Sequence, residues 1–184
     1  MNSGPIAHRY AKALLKFVQE TGAGDKVYSQ ACVLVLRLQE IHALAEAIQK
    51  NSELQLSRKL QLLDSALEMP MQEELRRFVT LVHEQKRMGL FERMLLSFID
   101  QYRQANSIKV GRLVTALPIP ELKEKLQAVL SESTGASVIF EEELNPGIIG
   151  GFIFELDGCR VDASVEGQLA KIRRQLVQNN NRIV

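Results

Sequence analysis

The stretch 145-NPGIIGGFIFELDGCRVDASVEGQL-169 decides how the second half of this chain is read. It places Gly147, Gly150 and Gly151 within five positions, with Phe152-Ile153-Phe154 directly after them. A dinucleotide fingerprint runs G-x-G-x-x-G from a strand into a helix, so that backbone N–H groups and a helix N-terminus face the pyrophosphate. Here the order is G-x-x-G-G, and the Phe-Ile-Phe run after it reads as another strand, with no helix dipole pointing at the glycines. The phosphate-loop pattern fails as well, because the chain has no Gly-Lys-Ser/Thr triplet. Glycine inside a strand marks a bulge or a close approach of a neighbour. The expected neighbour is the last helix, whose Gly167 lies in its first turn, where Ser164 is placed to cap and Glu166 to complement the dipole.

Around this stretch the pattern is that of a small α+β domain. "SIKVGRLVTALPIP" alternates and ends in prolines, as a strand and its exit do. "ELKEKLQAVLSES" reads as a helix terminated by Gly135, and "ASVIFEEEL" and "IIGGFIFEL" read as strands. Asp157-Gly158 signals a hairpin into "CRVDA", and a last helix runs from Ser164 to about Gln178, with "NNNRIV" fraying off its end. Upstream, from Pro5 to Ala105, apolar residues recur at three- and four-residue spacing with few β-branched clusters. Helices are expected at about 5–20, 25–39, 40–50, 56–68, 71–86 and 90–105, broken by "TGAGD", "NSE", Met69-Pro70 and Met88-Gly89. The expected fold class is therefore α+β overall. An all-α six-helix bundle over 1–105 precedes a C-terminal α+β domain over 106–184 with a mixed or antiparallel sheet.

Composition narrows the function classes. Of 184 residues, 46% are hydrophobic and 24% charged, which suits a folded chain. The formal charge of +1, about +2 before Asn106 and about −1 after it, lacks the cationic excess that nucleic-acid binding needs. Cys32 and Cys159 form no C-x-x-C pair and no disulfide framework, which suits a reducing compartment. No apolar run is long enough to span a bilayer. The basic start "MNSGPIAHRYAKALLKFVQE" lacks the Ser and Arg richness of a transit peptide, and Pro5 fits the opening of the first helix.

Few residues in the chain point to catalytic or metal chemistry. His8, His42 and His83 lie on separate helical stretches without a second His at i+3 or i+4, so no metal site is expected. Asp162 and Ser164 have no nucleophile elbow or nearby His, which leaves helix capping as their job. The three carboxylates of "EEEL", 141–144, alternate between faces of a strand and cannot converge on one cation; they suit a solvated sheet edge. No catalytic residue, cofactor or small-molecule substrate is expected. The competing readings are a nucleotide-using enzyme built on Gly147–Gly151 and a nucleic-acid-binding module using Arg173, Arg174 and Arg182.

Apolar helix faces are in surplus. The first helix carries Ala7, Tyr10, Ala11, Leu14 and Val18 on one stripe and Ile6, Ala13 and Phe17 on the next. The fifth carries Leu75, Phe78, Val79 and Val82. Set side by side, the two helices would leave a shallow groove over Ala7 and Ala11 for an amphipathic partner helix, although periodicity alone also fits a purely internal core. The last helix aligns Leu169, Ile172 and Leu176, with Lys171, Arg173 and Arg174 around them. That is either a solvated face or a docking surface for an acidic helical partner.

"RYAKAL" in the first helix, "NPGIIGG" and "VDASVEGQLAKIRRQL" closely resemble the delta subunit of F-type ATP synthase, the oligomycin-sensitivity-conferring protein family, over about residues 6–178. The run D-x-S-V-x-G-x-L, at Asp162, Ser164, Val165, Gly167 and Leu169 after Gly150-Gly151, is the specific part. The resemblance implies a non-catalytic stator component, one copy per hetero-oligomeric membrane complex, coupling rotor torque to proton-driven ATP synthesis. It implies that the bundle grips the N-terminal helix of an alpha subunit of the catalytic head. Tyr10, Ala11 and Leu14 match one side of that grip and Phe78, Val79 and Val82 the other. The C-terminal domain would hold a b-type peripheral stalk, the whole lying on the cytoplasmic face of a bacterial inner membrane. The family often carries an Asn-Gly-Arg turn where this chain has Gln85-Lys86-Arg87, so Gly89 is expected to end the fifth helix one turn later.

Overall fold

A computed structural model describes residues 3–49 and 54–180. It divides into two compact units, Met1–Asn106 and Ser107–Val184.

The first unit holds α1 (Ser3–Thr21), α2 (Gly24–Glu40), α3 (His42–Gln49), α4 (Leu56–Leu67), α5 (Glu73–Glu84) and α6 (Phe91–Ala105). Gly22, at φ +70°, turns the chain between α1 and α2. The break expected at "NSE" falls at 51–53, outside the described residues. Leu14 and Val18 of α1, Leu34 of α2, Val79 of α5, and Phe91, Leu95 and Phe98 of α6 fill the core. The α5 exit differs from expectation. The helix does not run on to Gly89 but stops after Glu84, where Lys86 takes a left-handed φ of +53° and Arg87 N–H donates to the Val82 carbonyl at 3.0 Å. A lysine thus takes a backbone conformation that glycine adopts with less strain.

Polar side chains tie the short connections down. Gln30, nearly buried on α2, donates to the Pro70 carbonyl at 3.1 Å and accepts from Gln72 N–H at 2.9 Å, clamping the segment before α5 from both sides. Asp64 accepts from Met71 N–H at 3.0 Å and pairs with Arg76 at 2.9 Å. Lys59 has no solvent exposure. Its ammonium donates to the Ile48 carbonyl at 3.0 Å in the last turn of α3, where a cation complements the helix dipole, and burial pushes its pKa down.

The second unit holds β1 (Ile108–Thr115), α7 (Pro120–Thr134), β2 (Ser137–Leu144), β3 (Phe152–Leu156), β4 (Cys159–Asp162) and α8 (Val165–Asn180). Residues 181–184, with Arg182, lie outside the described residues; of the "NNNRIV" end expected to fray, Asn179 and Asn180 instead continue α8. The sheet order is β2-β1-β3-β4, with β1 parallel to β2 through the α7 crossover and the other pairs antiparallel, so the sheet is mixed. Leu113, Val138, Phe140 and Leu156 form the core on one sheet face, joined by Leu126 and Leu130 of α7 and by Phe152 and Phe154. Gly135 ends α7 at φ +64°, and Asp157-Gly158 turns the β3-β4 hairpin with both residues at positive φ. Glu142 pairs with Lys123 and Glu143 with Arg112, along a β2 that is an edge strand.

The glycines of 147–151 are not inside a strand. Pro146–Ile148 forms a single helical turn, and β3 begins only at Phe152. The expected close approach is real, but it is made by the loop entering α8. A Cβ on Gly151, whose φ is +75°, would sit 2.2 Å from the Ala163 carbonyl oxygen. Gly158 shares the left-handed backbone, at φ +77°, with open space around it. Gly151→Ala is therefore expected to cost about 2–4 kcal/mol through strain and a backbone clash. Gly158→Ala should cost only about 1 kcal/mol. Hydrogen exchange of the β1 and β3 amides in the two variants measures the difference.

Candidate functional site

Among the described residues no group of three or more His, Cys, Asp or Glu side chains could hold a metal ion. His8 and His42 are exposed and His83 half-buried, on three different helices. Asp162 and Ser164 do come together, but to start a helix. Ser164 Oγ accepts from Gly167 N–H at 3.0 Å and donates to Asp162 Oδ1 at 2.5 Å, while Ser164 N–H donates to the same oxygen at 3.0 Å.

This geometry corrects one expectation about the glycine segment. A helix N-terminus does lie beside it, since Val165 N–H donates to the Gly150 carbonyl at 3.0 Å. It suits an anion poorly, because Val165 N–H bonds the Gly150 carbonyl, the Ser164 oxygens take the Gly167 and Gln168 N–H groups, and the Asp162 carboxylate lies at the positive end. Gly167 has no side chain because Asp162 is there: an added Cβ would lie 2.8 Å from its Oδ1. The D-x-S-V-x-G run is the start of α8 written as sequence.

Among the described residues, two apolar helical surfaces stand out as uncovered. The first is an apolar groove of about 240 Å³ in the N-terminal unit. It is lined by Ala13, Leu14 and Phe17 of α1 and by Arg77, Phe78 and Leu81 of α5. Leu14 and Phe78 are nearly buried and form its floor; Phe17 is half-buried and Leu81 is 44% exposed, and they form its walls. One end is marked by Tyr10, half-exposed, with the Arg87 guanidinium 5.4 Å from its ring centroid and donating to its hydroxyl at 3.0 Å.

The eight residues expected to grip a partner divide accordingly. Ala7, Ala11, Leu75, Val79 and Val82 are core, Leu14 and Phe78 are floor, and Tyr10 alone is substantially accessible. Ala7 and Ala11 leave no groove, because they sit on the side of α1 that packs into the bundle, where α6 is its main neighbour. The groove lies on the neighbouring stripe, at Ala13 and Phe17. The first-helix pattern held that signal; Leu81 and Arg77, on the polar side of α5, gave none.

The second surface is on α8. Val165, Leu169, Ile172 and Leu176 are 39%, 54%, 52% and 61% exposed, at spacings of four, three and four. That is the spacing of a two-helix seam, an exposed a/d stripe. Of the three cations expected to flank it, Arg173 falls beside the seam in the helical repeat. Lys171 and Arg174 instead line a shallow depression with Asp162, Gly167 and Gln175.

The open face of the sheet carries a third, polar hollow of about 200 Å³ between Arg112, Glu143, Glu155 and Arg160, in which Arg112 and Glu143 pair with each other.

Comparison with known proteins agrees on one family. A family model described as ATP synthase delta (OSCP) subunit matches residues 6–176. The chain is 38% identical to the ATP synthase subunit delta of Phocaeicola vulgatus over 186 residues, covering all of both chains. It is 32% identical to that of Bacteroides fragilis over 187 residues, again covering both in full. Among solved structures, a chain of the Toxoplasma gondii mitochondrial ATP synthase hexamer shares the fold, with a TM-score of 0.60 at 18% identity over 93% of this chain and 97% of that one.

Hydrogen bonds from the Ser164 hydroxyl, then from its backbone N–H, hold the Asp162 carboxyl below its ordinary pKa of 3.8. A depressed carboxylate pKa stabilises the fold above the unfolded value, and that contribution is lost as pH falls through the folded one. The α8 start is thus expected to loosen only below about pH 4, and Asp162→Asn, which keeps an acceptor but no charge, should flatten that acid limb. Tracking the Gly167 amide by NMR between about pH 2 and 6 checks both.

Proposed function

The chain belongs to the ATP synthase delta (OSCP) family, and we propose that its two uncovered helical surfaces are the two attachments of a stator link. The protein is a non-catalytic subunit of an ATP synthase, a peripheral-stalk component that assembles with other subunits of that complex. No helix among the described residues is long and apolar enough to cross a membrane. In this reading the α1/α5 groove takes the N-terminal helix of an alpha subunit of the catalytic head. The α8 seam takes a helix of the b-type stalk, and the subunit works on the cytoplasmic face of a bacterial inner membrane.

One observation carries this reading: each compact unit has its own exposed apolar helical surface. A link that resists rotation of the head must grip on both sides, and two modest interfaces joined in one chain hold far better than either alone. The glycine segment supports no nucleotide site, since its backbone abuts the Ala163 carbonyl and its neighbouring helix start is already occupied. Arg173 and Arg174 lie on a unit whose net charge is close to −1, which does not favour nucleic acid.

Buried aromatic anchors in such interfaces commonly cost about 2 kcal/mol on truncation, roughly thirtyfold in affinity. Tyr10→Ala and Phe17→Ala are each expected to weaken binding of an alpha-subunit N-terminal peptide to the full chain by that order without unfolding the bundle. Titration calorimetry with the two variants decides, and unchanged affinity in both would refute the groove. At the other end, Leu169→Asp with Ile172→Asp should abolish binding of a b-type stalk fragment while leaving the peptide affinity intact, as measured by co-sedimentation.

A further inference from the structure

We infer that the helix occupying the α1/α5 groove carries its carboxylates along the one flank that faces α1, and that this charge match selects it among amphipathic helices. The inference rests on the groove being a docking site and goes on to the chemistry of what docks.

Successive residues on a helix turn by about 100°. Passing outward from the Leu14 floor, α1 presents Tyr10 and Phe17, then Ala13, then Arg9 and Lys16, with Lys12 one step beyond. Arg9, Lys12 and Lys16 are exposed and have no hydrogen-bond or ion-pair partner among the described residues. They recur at spacings of three and four, so they make a cationic rail parallel to the apolar stripe. Glu20, in the last turn, is the acidic residue of this helix.

The opposite wall has no comparable cationic row. On α5, Arg77 lines the groove but is held by Glu73 at 3.0 Å, and Glu74 and Glu84 lie on the same helix. The groove therefore has unpaired cations along α1, while on α5 the charged side chain that lines it, Arg77, is offset by Glu73. An amphipathic helix with carboxylates toward α1 and uncharged residues toward α5 meets complementary charge along α1 and no repulsion along α5. A helix with lysines on the flank toward α1 meets like charges there, which an interface penalises more reliably than it rewards opposite ones. The contacts are solvent-exposed, so each is weak and screened by salt; their effect is on choice of partner and speed of encounter.

The test uses the full chain and two synthetic helical peptides with the same apolar face, one bearing three glutamates along a flank and the other three lysines there. The glutamate peptide is expected to bind about tenfold tighter at low salt, through faster association, with the gap closing as salt rises toward ~0.5 M. The Arg9→Glu/Lys12→Glu/Lys16→Glu variant should reverse that preference, and the milder Lys12→Gln/Lys16→Gln variant should reduce it, both with unchanged helix content. Phe17→Ala should weaken both peptides alike at either salt. If the wild-type chain binds the two peptides equally, or the charge-reversed chain still prefers glutamate, while Phe17→Ala weakens both, then flank charge does not select and the inference falls with the groove intact. If Phe17→Ala also leaves both peptides unaffected, the groove itself falls.

Discussion

An apolar helix face that a chain's own core leaves uncovered has to be covered by something else, and this constraint governs both halves of the protein. Burial stabilises by about 25 cal/mol per Å² of apolar surface, so a stripe such as Val165, Leu169, Ile172 and Leu176 is surface kept available for association. The bundle repeats the arrangement in α1. One stripe, Ala7, Ala11, Leu14 and Val18, goes to the core, and the adjacent one, through Ala13 and Phe17, faces a groove. A helix with two apolar stripes belongs to two interiors, one its own and one shared.

Availability is useful only if the surface is held still. A seam on α8 presents its residues in register only if the helix begins at a fixed place and leaves the sheet in a fixed direction. The fixing is done by small groups: Gly151 against the Ala163 carbonyl, Gly167 over the Asp162 carboxylate, and the Ser164 hydroxyl on the Gly167 amide. These residues touch no partner in the proposed reading. They set where the partner-facing residues point, which is why the most distinctive motif of the chain is a structural one. In the bundle Gln30, Asp64 and Lys59 play the corresponding part, pinning the segments around α3, α4 and α5 through hydrogen bonds to backbone.

The two surfaces differ in what accompanies the apolar contact. The groove has a row of cations, unpaired among the described residues, along its α1 side, which gives an approaching helix a preferred rotation. The α8 seam has Arg173 beside it, while Lys171 and Arg174 line a depression that Asp162 also borders. Non-directional apolar burial supplies affinity at both places, and the arrangement of charge distinguishes one partner from another.

Periodicity by itself determined the helices and most of their ends, because the core face of a helix recurs with the backbone's own repeat. That is why α1, α2, α4 and α6 lie within two residues of expectation. The Asp157-Gly158 turn, the Gly135 stop and the Ser164 cap were legible for the same local reason, since each is a backbone conformation only a few residue types satisfy. Sequence also carried the excess of apolar faces. What it could not show was which stripe faced inward: Ala7 and Ala11 went to the core and Ala13 and Phe17 to the groove, a choice made by the neighbours of α1. Nor could it show that Gly151 is shaped by a carbonyl twelve residues away, that Lys86 would end α5 without a glycine, or that Leu81 and Arg77 would wall the groove. Local patterns record what the backbone permits, whereas a surface between two elements exists only once packing has set them side by side.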